Sequence, residues 1–174
     1  MSIQNERFTV VFNSRGSNVI FPDTTVADVN LNHVTYNVNW LSILPTKYKK
    51  FQCSFVFKSD KFDPVYTEMA VIDFFNHTGF ISMDIGRTNI YDGLQMSNNI
   101  GSITPVQTIT TEYNDLYYNS TTNDNSDFWI DYPINNQITI TFNKFNSTKL
   151  QHMTHYCLYL TLTGILDNEI DKSN

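Results

Sequence analysis

The chain has 174 residues with 11 Lys and Arg against 17 Asp and Glu, a net charge of −6, and a sequence of this length can bury a full hydrophobic core in one domain. Charged residues make up only 16% and aromatics 14%, so the polar surface must come from Asn, Ser and Thr. Nucleic acid would require a basic face to displace counterions, and the nearest approach to one is "KYKK" at 47–50, too short to be more than a solvated turn.

Taken in chain order, the strongest pattern is alternation of period two. The N-terminal "MSIQNERFTVVF" lacks a basic segment followed by an apolar one, so no secretory signal is expected. No apolar run approaches the roughly 18 residues of a membrane helix, so no direct membrane insertion is expected either. "FTVVF" at 8–12 sets Phe8, Val10 and Phe12 on one side. A weaker strand candidate covers 18–21. "VTYNVNW" at 34–40 aligns Val34, Tyr36, Val38 and Trp40. The one helix candidate is "WLSILPTKYKK" at 40–50, with Asn39 as a cap and Pro45 as a disturbance. "FQCSFVF" at 51–57 aligns Phe51, Cys53, Phe55 and Phe57. Weaker candidates follow at 66–74, 80–85, 103–110 and 127–132. "ITITF" at 138–142 and "YCLYLTL" at 156–162 close the series, aligning Ile138, Ile140 and Phe142, then Tyr156, Leu158, Leu160 and Leu162. Such alternation marks half-buried antiparallel strands. The pieces between them ("SRGSN", "FPDTT", "NHTG", "YDG", "SNNIG", "YPINN") are turn chemistry. The expectation is an all-β fold, a single eight-stranded antiparallel jelly-roll sandwich spanning 1–166. An acidic tail at 167–174 is expected to fray.

Candidate chemistry is sparse. In "NSTTNDNSDFWIDYP" at 119–133, Asn123, Asn125 and Asp127 alternate as calcium-loop ligands do, but Phe128 and Ile134 stand where the loop needs Gly and Glu. The sequons at Asn76, Asn119 and Asn146 carry little weight in a chain so rich in Asn, Ser and Thr. "HMTH" places His152 and His155 at i and i+3, opposite faces of a strand, which does not converge on zinc; His33 and His77 stand alone. Asp84, Asp92, Asp127 and Asp131 would need a particular spatial separation for glycoside chemistry. No phosphate loop, nucleophile elbow or dinucleotide fingerprint is present. The reading is therefore of a non-enzyme with no catalytic, metal or cofactor residues. Cys53 and Cys157 lie in apolar alternating runs, read as small buried hydrophobes that stay reduced in a reducing compartment. Trp40 continues an apolar face and belongs to the core. Trp129 is different: Phe128, Ile130 and Tyr132 face one way, while Trp129 shares the other face with Asp127 and Asp131, so an interface or a covering loop must shield it.

"VNWLSILPTKYKKFQCSFVFKS" at 38–59, "ISMDIGRTNIYDGLQMSNNIGSITP" at 81–105, "NSTTNDNSDFWIDYPINNQITITF" at 119–142 and "HYCLYLTLTGIL" at 155–166 resemble the single jelly-roll minor capsid proteins of nucleocytoplasmic large DNA viruses, the giant viruses of algae and protists. The resemblance covers most of 30–166. It implies a structural role in the virion: a protein made in the host cell that lies among, beneath or at the vertices of the double jelly-roll capsomers and cements the icosahedral capsid. The implied partners are major and minor capsid proteins, with a homo-oligomer, trimer or pentamer, as the expected assembly and Trp129 as its interface residue. The alternative from the residues alone is a carbohydrate- or receptor-binding sandwich, with Trp129 and the Tyr117–Tyr118 pair stacking on sugar.

Overall fold

The computed structural model describes residues 5–22, 32–60, 79–109, 114–120, 127–144, 150, 153 and 155–166. Its strands are β1 (Arg7–Asn13), β2 (Val19–Pro22), β3 (His33–Asn37), β4 (Lys50–Ser59), β5 (Gly79–Met83), the small pair β6 (Tyr91–Asp92) and β7 (Gln95–Met96), β8 (Asn99–Ile109), β9 (Asn114–Ser120), β10 (Phe128–Asp131), β11 (Gln137–Lys144) and β12 (Tyr156–Ile165). One helical turn, α1 (Trp40–Ile43), sits between β3 and β4. Except for the separate β6–β7 pair, the strands form one antiparallel hydrogen-bonded path, β1-β12-β4-β9-β8-β5-β11-β3-β2, with β10 also on β4.

This order is that of a jelly roll. The quartet β1-β12-β4-β9 makes one leaf and β3-β11-β5-β8 the other, and the β8–β9 hairpin carries the ladder between them. The leaves meet through their inward rows. Phe12 meets Tyr36 with ring centres 5.1 Å apart, and Phe57 and Tyr156 meet Phe142 at 5.2 and 4.8 Å. Phe55 reaches across to lie on Gly101 of β8, where an added Cβ would stand 2.5 Å from its ring. Between the leaves the Tyr36 hydroxyl donates to the Tyr156 hydroxyl at 2.9 Å. Val10, Phe12, Val38, Phe55, Phe57, Ile138, Ile140, Phe142, Leu158, Leu160 and Leu162 are all buried, as the alternation predicts; Phe8, at the start of β1, is only partly so.

Three expectations need correction. Strand β3 ends at Asn37, and Trp40 joins the core from α1 instead. There the Asn39 carbonyl accepts the Ser42 amide at 3.1 Å, and the Asn39 side chain makes no cap. Cys157 is half-buried on the outer face opposite Lys58, because alternation gives the inward positions to Tyr156 and Leu158; only Cys53 is a core thiol. Tyr118 is buried while its neighbour Tyr117 is half-buried on the other side of β9, so the two cannot form a joint stacking platform. β9 itself is an addition, since "NDLYYNS" shows no clean alternation. The strand candidate at 66–74, the tail 167–174, His77, His152, Asn76, Asn123, Asn125 and Asn146 lie outside the described residues.

Candidate interaction surface

Trp129 stands on the outer side of the β1-β12-β4 leaf. β10 runs antiparallel to the first half of β4, with Phe128 opposite Cys53, Trp129 opposite Gln52 and Ile130 opposite Phe51. Phe128 and Ile130 are buried, which turns Trp129 outward, where it is half-buried. Asn89 grips its backbone: the Trp129 amide donates to Asn89 Oδ1 at 2.7 Å, and the Asn89 amide donates to the Trp129 carbonyl at 3.2 Å. Thr88 bridges to Ile130 from the same segment. β10 is thus held between β4 and residues 87–89, and both flanks fix the direction in which the indole points.

Beside it, Gln52 donates through Nε2 to Asp127 Oδ2 at 2.7 Å. Along the leaf, Gln52, Ser54, Thr161, Thr163, Arg7 and Asp127 line a shallow trough of about 940 Å³. Hydroxyl, amide, guanidinium and carboxylate groups all reach it. At one end Lys47 donates to Glu6 at 2.7 Å, which lowers the Glu6 carboxyl below its ordinary range.

The remaining candidates do not gather into a site. Asp127, just before β10, and Asp131, at its end, lie four positions apart, about 13 Å at the rise of a strand, wider than a glycosidase pair requires. Asp84 is exposed just beyond β5. His33 shares a hydrogen bond of 3.0 Å with Thr141, and His155 lies 3.5 Å from Ser14 Oγ. Burial, then the Arg15 guanidinium, pushes His155 below its ordinary pKa. Burial raises the Cys53 thiol far above its ordinary value, so it stays protonated. Among the described residues no group of three or more His, Cys, Asp or Glu comes together around a possible ion, and no helix is long and apolar enough to cross a membrane. Asn119, the one described sequon, is half-buried in β9 opposite Thr104 and Lys58.

A second outer feature is invisible to periodicity. Val11, Tyr159 and Val56, from β1, β12 and β4, stand directly opposite one another, and all three are exposed, at 43%, 41% and 45%. Each is an ordinary outward position in its own strand; only the registers make them a row.

No protein-family model, curated protein or solved structure matches the chain.

Proposed function

We propose that the chain is a minor capsid protein that cements the icosahedral shell of a large DNA virus, acting in the virion through contacts with other capsid proteins and with copies of itself. The reading rests on the four sequence runs that resemble that family. They cover β4, β5 through the first half of β8, the last two residues of β9 with β10 and most of β11, and β12. Fold alone carries no function, since jelly rolls serve lectins and enzymes as well as capsids. The surface chemistry also supports lasting contact. A face of Asn, Gln, Ser and Thr can be desolvated against a neighbour at less cost than ionised groups, because backbone partners satisfy it. Trp129, aimed outward and held on both flanks, is the proposed anchor of that contact. A map of purified particles, with this chain located and counted, tests the reading. Stoichiometric copies in the shell are expected. Particles that are equally complete and stable without the protein would overturn it.

The trough gives a second reading a specific footing. Trp129 is not part of its lining but pairs with Gln52, which lines it together with Asp127 and the Ser and Thr hydroxyls; an aromatic plate at the margin of planar polar groups is a combination that suits a saccharide. A glycan array separates the two: saturable binding that Trp129→Ala abolishes would favour the sugar reading, and absence of binding the shell.

A further inference from the structure

The hydrogen-bonded path ends at β1 on one side and β2 on the other, and the two edges differ. β2 has four residues, a bulge between Val19 and Phe21, and Pro22 at its end. Those are devices that blunt a sheet edge against other chains. β1 has seven residues, no proline and unbroken register with β12 from Arg7 to Asn13. Its only charge is Arg7, at the first position. Among the described residues no strand pairs with its free side. The outward row Val56–Tyr159–Val11 runs straight to that open side and stops there.

We propose that a second copy of this chain docks on β1, strand against strand and antiparallel, across a two-fold axis through Val11. The register follows from geometry. Opposite residues of an antiparallel pair point to the same face, so a two-fold axis normal to the sheet can fall on a residue and join outward to outward. Centred on Val11, it sets the two Val11 side chains against each other. Val10 of each copy then faces Phe12 of the other, and Thr9 faces Asn13. The apolar row becomes continuous across six residues: Val56, Tyr159 and Val11, then Val11, Tyr159 and Val56. Centred on Val10, the axis would set Val11 against Thr9 and interrupt the row. No charged residue lies among the pairs from Thr9 to Asn13. Beyond them Arg7 comes against Arg15, which keeps its own counter-ion, Asp60, at 3.6 Å. An unrelated extended peptide could satisfy the open N–H and C=O groups. A second copy supplies the strand and also the matching row. A short ladder with one apolar row is small beside the ~800 Å² per partner of a standard interface, so monomer and dimer exchange and the dimer fraction rises with concentration.

The pairing does not depend on the shell reading, and its test uses the purified full chain without particles. Sedimentation over a concentration series is expected to show a reversible monomer–dimer equilibrium. Val11→Lys, which opposes two charges at the axis, is expected to weaken it at least tenfold with an unchanged unfolding midpoint. In a Cys157→Ser background, Val11→Cys places thiols on Cα atoms ~4.5–5.5 Å apart across the axis, within disulfide reach. It is expected to cross-link on mild oxidation. Thr9→Cys, whose copies would stand about 13 Å apart, is expected not to. Hydrogen exchange of the unsubstituted protein is expected to show β1 amides gaining protection with concentration, a readout that needs no variant to fold. A monomer at every concentration with no such gain, a dimer that survives Val11→Lys, or equal cross-linking at both cysteine positions would overturn the proposal. None of these results bears on whether the chain is found in a capsid, so the two readings fail separately.

Discussion

At Gly101 the backbone of one leaf lies against the Phe55 ring of the other, since a Cβ there would meet the ring at 2.5 Å. Gly101→Ala is therefore expected to cost about 1–3 kcal/mol through overpacking. Phe55→Leu in the same chain should recover part of that loss, because it removes the obstructing ring. Phe55→Ala alone should cost roughly 3–5 kcal/mol, as a large aromatic leaves a cavity. Chemical denaturation measures all three, and a Gly101→Ala change below about 0.5 kcal/mol would show that the ring yields freely. The Tyr36–Tyr156 pair gives a pH prediction. Burial raises both phenols above their ordinary value of 10.0. A raised folded pKa means that the stabilisation is whole below the unfolded pKa, near 10, and is lost as pH rises above it towards the folded pKa. Stability is expected to fall above about pH 10, and Tyr36→Phe should make that fall shallower; a slope unaltered by Tyr36→Phe would exclude the pair as its cause. Alternation alone identifies most inward residues here. It places Cys157 outward correctly, and only its apolar character suggests burial there; it fails at Phe8, where a strand end lies too near solvent for full burial.

At the scale of elements, β10 is a weaker strand candidate whose side-chain parity the structure bears out. "DFWIDY" alternates cleanly, and the structure turns Phe128 and Ile130 inward and Trp129 outward, as that parity demands. The partners of β10 are not legible, because Asn89 and Thr88 come from forty residues away in a segment with no periodic pattern. Trp129→Ala should leave thermal unfolding of the isolated chain close to the unsubstituted protein, since β10 is held by its buried face and by backbone bonds. If the chain is the shell component proposed above, incorporation of that variant into particles should weaken by over ~2 kcal/mol, the scale of an aromatic anchor at an interface centre. Normal incorporation would remove Trp129 from that role. α1 shows the opposite failure. The pattern through 34–40 continues as a strand, but the chain turns after Asn37 and fixes the turn from a distance. The Trp40 indole donates to the Asn135 carbonyl at 2.9 Å, and the Tyr132 hydroxyl donates to the Leu44 carbonyl at 2.8 Å. Such tertiary partners override local periodicity.

For the whole molecule, strand content and class follow from period two, while strand order does not. Nothing in the spacing of "FTVVF" says that it lies beside "YCLYLTL". The outer row at Val11, Tyr159 and Val56 is hidden for the same reason, since it exists only once three registers are known. Order also settles the thiols. Cys53 faces inward opposite Leu162, Cys157 faces outward opposite Lys58, and those registers are five positions apart along β4, roughly 17 Å. The folded chain cannot join them. Intact mass of the folded protein under oxidising, non-reducing conditions is expected to show two free thiols, and an intramolecular link would contradict the register. Circular dichroism is expected to be strand-dominated, with helix well below the third that is average for globular domains.

The place of β12 also sets a timetable. It is made after every other strand described here, yet it lies between β1 and β4 and joins them. Until a ribosome has delivered Tyr156–Ile165, two earlier strands wait with their inner edges bare and their Phe and Val rows wet. Completion of that leaf is postponed until β12 has been made, and long loop closures make such pairings slow. A nascent chain stalled before β12 is the form of this protein most in need of a chaperone.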